Sequence, residues 1–385
     1  DKGLGCKMMA NQIRGGNVLN GETGCFECID IELENGIIKE MGCLSAQSNV
    51  FDADGLYVIP GFIDTHIHGS MGGEFASESE SFDKVRKWFA SKGITAFAPT
   101  IRCLEPEGII KAEQNIVRES KKKVSGAKIY GIHIEGPYVS QEYRGVMNPP
   151  KIEASAEMFE RFYAASDGLL KIMTLAPERE NAAKIVERAV KLGVNISLGH
   201  TGATYEQSMS AIEAGASRAT HVFDAMRPFH HREVGILGAV LTDGRVNCEM
   251  ICDFVHLSPQ TVQLVYKLKG CGGITLISDA GFMSGLGDGE YFVSGNKRIV
   301  KDGVCRSEEG KIAGSCVSVL EGAKNLLSLG VPLEEISVMA SLNPAKALGI
   351  EKITGAIKPG CCADLIICDQ NLNIKAVFID GERCA

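Results

Sequence analysis

The sequence predicts an α/β fold: a (β/α)8 TIM-like barrel with a small discontinuous β-sandwich built from both chain ends. Three observations predict it. Between residues 58 and 350, short apolar runs alternate with amphipathic helical stretches, as in a parallel sheet with crossover helices. Over residues 1–57 and 351–385 the pattern changes to alternating strands separated by tight turns. The polar residues best suited to chemistry sit where the apolar runs stop, the end of the strands on which barrel enzymes carry their sites.

The chain opens with short strand patterns at Gly15–Leu19, Cys28–Leu33 and Ile37–Met41. Asn35-Gly36 between the last two is a strong hairpin signal. Eight apolar runs follow: Gly61–His68, Ile94–Pro99, Ile129–Glu135, Ile172–Ala176, Val194–His200, Ala219–Phe223, Cys248–Asp253 and Ile274–Asp279. Helical periodicity fills most of the intervals, over Ser81–Lys92, Glu105–Lys122, Glu180–Lys191 and Ser258–Leu268. Eight such repeats suit a closed barrel. A doubly wound open sheet would carry a Gly-x-Gly-x-x-Gly turn after its first strand, and none is present. Ala363–Cys368 and Ile374–Ile379, with a turn at Asp380-Gly381, return to the strand pattern and predict pairing with the N-terminal segment.

The 385 residues are 45% hydrophobic and 23% charged, an ordinary globular composition. A net charge of −8 argues against nucleic acid as a partner but leaves room for a small phosphorylated ligand. The 14 cysteines are scattered, so free thiols in a reducing cytoplasm are expected. Cys25 and Cys28 form a CxxC, but the next cysteine, Cys43, is alone, and coincidence is the simpler reading. Residues 1–15 lack the apolar centre of a leader, and no apolar run reaches the roughly 20 residues of a membrane span. A cytoplasmic protein without a membrane partner is expected.

The first run ends in "VIPGFIDTHIHGSMGGEF". His66 and His68 alternate on a strand and so point to one face, a costly pair to bury unless something holds both rings. His133, His200 and His221 lie at or near the ends of three further runs, Glu135 ends the third and Asp279 the eighth. One such histidine is most simply a satisfied core residue. Five on four strands, with two carboxylates, point to a divalent transition metal, one or two ions of zinc, iron or manganese. Such an ion acidifies water and polarises a carbonyl. Asp279 can take the water proton and pass it to a leaving nitrogen. Metal-assisted hydrolysis of an amide or ester is the expected chemistry.

"PGFIDTHIHG" at Pro60–Gly69 resembles the amidohydrolase superfamily. "GIHIEGPYVS" (Gly131–Ser140), "TLAPE" (Thr174–Glu178), "LGHTGAT" (Leu198–Thr204), "ATHVFDAMRPFHHREVG" (Ala219–Gly235), "ISDA" (Ile277–Ala280), "GKIAGSCVSV" (Gly310–Val319) and "SLNPAKALGI" (Ser341–Ile350) resemble its N-acetylglucosamine-6-phosphate deacetylase family. The resemblance implies metal-dependent deacetylation of an amino sugar. It implies that His66 and His68 hold one metal, that His200 and His221 hold another, and that Glu135 bridges them. It further implies that Asp279 is the catalytic acid/base, that His256 contacts substrate, and that Arg232 reaches the sugar phosphate in the neighbouring subunit of a homodimer. Asp224, Ala225 and Met147 fall at substrate-facing positions. Two of these depart from the family pattern: Met147 replaces a histidine, and Asp224 an asparagine beside the phosphate. A carboxylate there would repel a dianion by up to about 4 kcal/mol per charge pair at close range, so a changed sugar or a missing 6-phosphate is a competing expectation. A cyclic amidohydrolase is disfavoured because Leu175-Ala176-Pro177-Glu178 supplies no lysine at the fourth strand end. A barrel that had lost its chemistry would lack some of these residues.

Elsewhere the sequence reading is plainer. His133 is expected to orient the site rather than ligate. At most one of His230 and His231 is expected to face it. Trp88 is expected to pack, Gly281–Gly289 to form a surface loop or a lid, and Lys121–Lys123, with Lys128 beyond, to be a solvated helix end.

Overall fold

The computed structural model describes residues 10–77, 82–293 and 295–385. Its centre is a parallel barrel: β1 Phe62–Ile67, β2 Ile94–Ile101, β3 in two pieces (Lys128–Ile129 and Ile132–Glu135), β4 Leu170–Leu175, β5 Asn195–Leu198, β6 Arg218–Ala219, β7 Asn247–Ile251 and β8 Ile274–Ile277. Each of the eight predicted runs overlaps one of these strands, the sixth by the single residue Ala219. β1 and β2 are buried along their whole length, which is why they read as continuous apolar runs rather than alternating ones. The sheet runs in order from β1 to β8. It closes just beyond β8, where the Asp279 N–H donates to the His66 carbonyl (2.9 Å) and the His68 N–H to the Ala280 carbonyl (2.8 Å). Closure therefore brings His66, His68 and Asp279 together.

The helices lie where periodicity placed them: Asp83–Ser91, Pro106–Ser120, Ala182–Lys191 and Pro259–Lys269. Ser81, the expected start of the first, lies outside the described residues. Capping fixes the loops that carry the site. Thr204 and Gln207 form a reciprocal capping box that starts the helix Tyr205–Glu213 soon after His200. Ser318 and Glu321 do the same for Val319–Ser328, after the loop that follows Asp279. Gly199 has to be glycine for packing: a Cβ there would lie 2.5 Å from that of Thr220, so β5 and β6 can approach and set His200 beside His221.

The chain ends form one eight-stranded sheet, with Tyr57–Pro60 between Gln12–Leu19 and Leu365–Cys368. Its edge returns on itself, since the Ile38 N–H donates to the Cys361 carbonyl and the Ala363 N–H to the Gly36 carbonyl, both at 2.8 Å. Ile13, Ile31, Ile38, Val58, Leu365 and Phe378 fill the enclosed core. Lys128 is not a solvated continuation of Lys121–Lys123. It joins β3 to this sheet through Asp364 (3.0 Å) and Asp380 (2.7 Å). Beyond β8 the segment expected to be a loop or lid leads into a three-stranded antiparallel sheet, Gly289–Val293, Asn296–Lys301 and Val304–Ser307.

Candidate metal and substrate site

His66, His68, Glu135, His200, His221 and Asp279 meet at the C-terminal end of the barrel. Glu135 is central: Oε1 lies 3.1 Å from Nε2 of both His200 and His221 and 3.4 Å from His66 Nε2, while Oε2 lies 3.3 Å from His68 Nε2. Asp279 Oδ1 is 3.2 Å from His68 Nε2 and 3.5 Å from His66 Nε2. Two overlapping donor groups emerge, His66–Glu135–His221 and His66–His68–Asp279.

The tautomers follow from the outer hydrogen bonds. His200 Nδ1 is 3.0 Å from the Tyr143 carbonyl and His221 Nδ1 is 3.1 Å from the Asp224 carbonyl; carbonyls only accept, so each Nδ1 carries the proton. The two Nε2 atoms then turn lone pairs towards one another at 3.1 Å. His66 Nδ1 faces the Glu249 carboxylate at 2.9 Å, which leaves its buried Nε2 without a hydrogen-bond partner. Converging lone pairs and carboxylate oxygens in a buried pocket repel unless a positive charge lies among them, so the donor set fits a divalent cation.

The titration directions agree. Burial opposes charge on His68, but Asp279 and Glu135 outweigh it and push the ring up to about 9. Burial likewise opposes ionisation of Glu135, yet His200 and His66 hold it well below the usual carboxylate range. Asp279 is held at about 2 in the same way, chiefly by His68 and His66 against its burial. The cluster is poised to hold positive charge.

His133 has both ring nitrogens taken: Nδ1 meets the Thr65 carbonyl (3.1 Å) and Nε2 the Thr174 hydroxyl (2.8 Å). Sequence reasoning missed Glu249 and Arg218. Glu249, buried on β7, links His66 to Arg218 Nη2 (3.2 Å). The one signal was a charge inside the apolar run "NCEMI". Asp64 was also missed; it accepts from the Ser278 hydroxyl at 2.5 Å and ties β1 to the end of β8.

The cluster floors a cavity of about 270 Å³. His256, Asp224, Ala225 and Met147 line it together with Arg102 and Arg298. His256 Nδ1 lies 2.7 Å from Asp253 Oδ2. Asp224 Oδ2 is buried and has no hydrogen-bond partner, and burial raises its carboxyl. Arg232 is not at this cavity. It is exposed, with Nη1 2.7 Å from His231 Nε2, in a recess that also holds Arg227 and Glu233. His230 and His231 are both exposed. Trp88 packs on the barrel core. Cys25 and Cys28 are exposed free thiols. His200, His221 and Asp279 take left-handed backbone angles (φ 49°, 26° and 47°), a conformation costly for side-chain-bearing residues and concentrated at functional sites.

The profile of the Amidohydrolase family matches residues 57–384. The chain is 33% identical to the N-acetylglucosamine-6-phosphate deacetylase of Lysinibacillus sphaericus, over 96% of each chain. It is 32% identical to the N-acetylgalactosamine-6-phosphate deacetylase of Escherichia coli O157:H7, over 94% of this chain and 96% of that one. A mutant N-acetyl-D-glucosamine-6-phosphate deacetylase of Mycobacterium smegmatis, solved in complex with N-acetyl-D-glucosamine-6-phosphate, superposes with a TM-score of 0.90 at 30% identity, covering 97% of this chain and 99% of that one. With the barrel and its histidine–carboxylate centre, these likenesses are of one kind: the chain belongs to the amidohydrolase family and, within it, to the N-acetylglucosamine-6-phosphate deacetylase family.

Proposed function

We propose that this enzyme hydrolyses the acetamido C–N bond of N-acetylglucosamine 6-phosphate, giving glucosamine 6-phosphate and acetate. The observation that carries the reading is the convergence of four histidines, Glu135 and Asp279 beneath a cavity of ligand size. His66 and His68 would hold one divalent ion and His200 and His221 a second, with Glu135 offering one oxygen to each half; zinc, iron and manganese all suit this donor set. When bound, such an ion acidifies water and draws electron density from a carbonyl oxygen. Asp279, ionised at neutral pH, takes a proton from the attacking water and returns it to the departing nitrogen, so the amine leaves uncharged. His256, its Nδ1 held by the Asp253 carboxylate, lines the cavity as a substrate contact and donates through Nε2 when the ring is protonated, a form Asp253 favours.

Two units would share the work: a barrel of residues 58–350 and a supporting unit of residues 1–57 and 351–385. The family resemblance supports a homodimer in which the exposed Arg232 reaches the partner's cavity. The negative charge and the free thiols support a cytoplasmic enzyme acting on a small molecule. Among the described residues, no helix is long and apolar enough to cross a membrane.

A second reading, deacylation of another N-acyl substrate, is favoured by Met147 and Asp224. The partnerless Asp224 Oδ2 suits a substrate hydroxyl better than a phosphate. Purified enzyme assayed on N-acetylglucosamine 6-phosphate, its galactosamine epimer, N-acetylglucosamine and N-acetyl amino acids separates the two. The first reading requires the highest kcat/KM on the phosphorylated glucosamine; a higher value on any other overturns it.

A further inference from the structure

We propose that Thr174, on β4, is a positioning residue of the hydrolytic centre: its hydroxyl locks the His133 ring, and that ring holds His66 in line with Glu135. The proposal rests on the reading of the Glu135 cluster as the site of hydrolysis. The barrel interior beside the cluster is polar, where barrel interiors are usually filled by branched apolar side chains. His133, Thr174, Ser197 and Thr220 are all fully buried. They touch in series: His133 Nε2 lies 2.8 Å from the Thr174 hydroxyl, Thr174 2.8 Å from the Thr220 hydroxyl, and Thr220 2.7 Å from the Ser197 hydroxyl. Each of these groups would be costly to bury alone. His133 shares its strand with Glu135, Ser197 leads to His200, and Thr220 directly precedes His221. Thr174 joins them from a strand that contributes no group to the cluster.

The sheet register places Thr174 opposite Glu135 on one side and Ser197 on the other. The Thr65 carbonyl only accepts, so His133 Nδ1 carries the proton, and Nε2 is left to accept from the Thr174 hydroxyl. The ring is thus pinned between β1 and β4. It packs against the His66 ring, with centroids 4.5 Å apart and planes at 76°. His66 has its Nδ1 at Glu249 and its Nε2 3.4 Å from Glu135 Oε1. A tilt of the ring that supports it therefore moves the lone pair that faces Glu135. Thr174 itself has little freedom, since a Cβ on Gly199 would lie 3.2 Å from its methyl. Without the hydroxyl, Nε2 keeps a buried lone pair with no donor, a costly state. The ring relieves it only by turning or by moving its proton from Nδ1, which would set a lone pair against the Thr65 carbonyl.

The test compares Thr174→Val, Thr174→Ser and Thr275→Val in the full-length protein, with urea unfolding reporting stability. Valine keeps the shape of threonine without its hydroxyl, and serine keeps the hydroxyl. Thr275→Val removes a buried hydroxyl that donates to the Asn247 side chain at 2.6 Å, near the start of β8. In Thr174→Val, kcat on N-acetylglucosamine 6-phosphate is expected to fall roughly 10-fold with KM little changed, the size typical of lost outer contacts at a metal site. Cobalt(II) added to metal-free protein should bind roughly 10-fold more weakly, with an altered visible spectrum. Thr174→Ser should recover both, and Thr275→Val should keep the wild-type values. Thr174→Ala, which is less bulky, takes the place of the valine variant if that one does not fold. A wild-type kcat and cobalt spectrum in Thr174→Val, whatever its stability, overturns the assignment, as does an equal loss in Thr174→Ser. Enzyme inactive on this sugar overturns the deacetylase reading, while the cobalt affinity and spectrum still decide the role of Thr174.

Discussion

Glu249 holds the His66 ring at the candidate metal site, although no motif marks it. It is buried, it fixes the His66 ring through Nδ1, and it meets Arg218, itself almost wholly buried. Substituting Glu249→Gln keeps the shape but removes the charge. Outer partners of ligating histidines typically set metal affinity by about 10–100-fold, so a loss of that size is expected by titration against a chelating indicator. Burial raises the Glu249 carboxyl, but His66 and Arg218 outweigh it and hold it at about 2. A depressed carboxylate stabilises above its unfolded value, near 4.3, and loses that contribution as pH falls through 2. In metal-free protein, the stability gap between wild type and Glu249→Gln should therefore narrow from pH 4.5 downwards. A gap constant to pH 2 would contradict this. Asp279→Asn is expected to lower kcat by about 10²–10⁴-fold, the usual worth of a positioned acid/base. It should still retain metal through the His66–Glu135–His221 group, which elemental analysis would show.

At the scale of elements, the sequence was legible where burial dictated it. The barrel strands are covered on both faces, so apolar runs marked them, and chemistry could stand only at their ends. The sheet beyond β8 was not legible, because its first strand alternates exposed and half-buried residues and the other two bury only Val300 and Cys305; Phe292 is 70% exposed. Its Asp302-Gly303 turn was a usable hairpin signal. Arg298 went unnoticed with it. Of the site, the ligand-type residues could be read from strand ends, whereas Glu249 lies inside β7 and Arg218 opens β6, where a charge has no spacing rule to reveal it. The helix Pro106–Ser120 shows another concealed cost. Glu113 is fully buried, neither carboxyl oxygen has a hydrogen-bond partner, and burial pushes the group up to about 9. Between its unfolded value and 9 the folded state holds a proton that the unfolded state has released, so stability falls as pH rises. Glu113→Met removes that dependence. It should raise stability to urea, with a gain that grows from pH 5 to pH 8 by up to about 1.4 kcal/mol per unit. A gain that shrank over that range would refute the assignment of a protonated Glu113.

At the scale of the molecule, the chain-end sheet braces the barrel at a distance from its chemistry. Tyr57–Pro60 leaves this sheet and enters β1 after a single residue, Gly61. On β3, Lys128 crosses to Asp364, whose carboxylate is fully buried and also accepts from the Thr354 hydroxyl (2.8 Å) and the Asp380 N–H (3.0 Å). Removing one partner of a buried pair leaves the other charge uncompensated, at a typical cost of about 3–5 kcal/mol. Asp380 is half exposed and can turn to water, so Lys128→Met should cost towards the lower end, about 3 kcal/mol in urea unfolding. Burial already raises the Asp364 carboxyl, with Lys128 opposing it. Without that cation the group rises further, and a carboxyl raised in the folded state loses stability as pH climbs through the interval above its unfolded value. The deficit should thus be larger at pH 8 than at pH 4. No group in this linkage touches the Glu135 cluster, so the folded variant should bind metal and turn over substrate at the wild-type kcat. A fall in kcat at full metal occupancy would mean that the brace also sets the geometry at the mouth of the barrel.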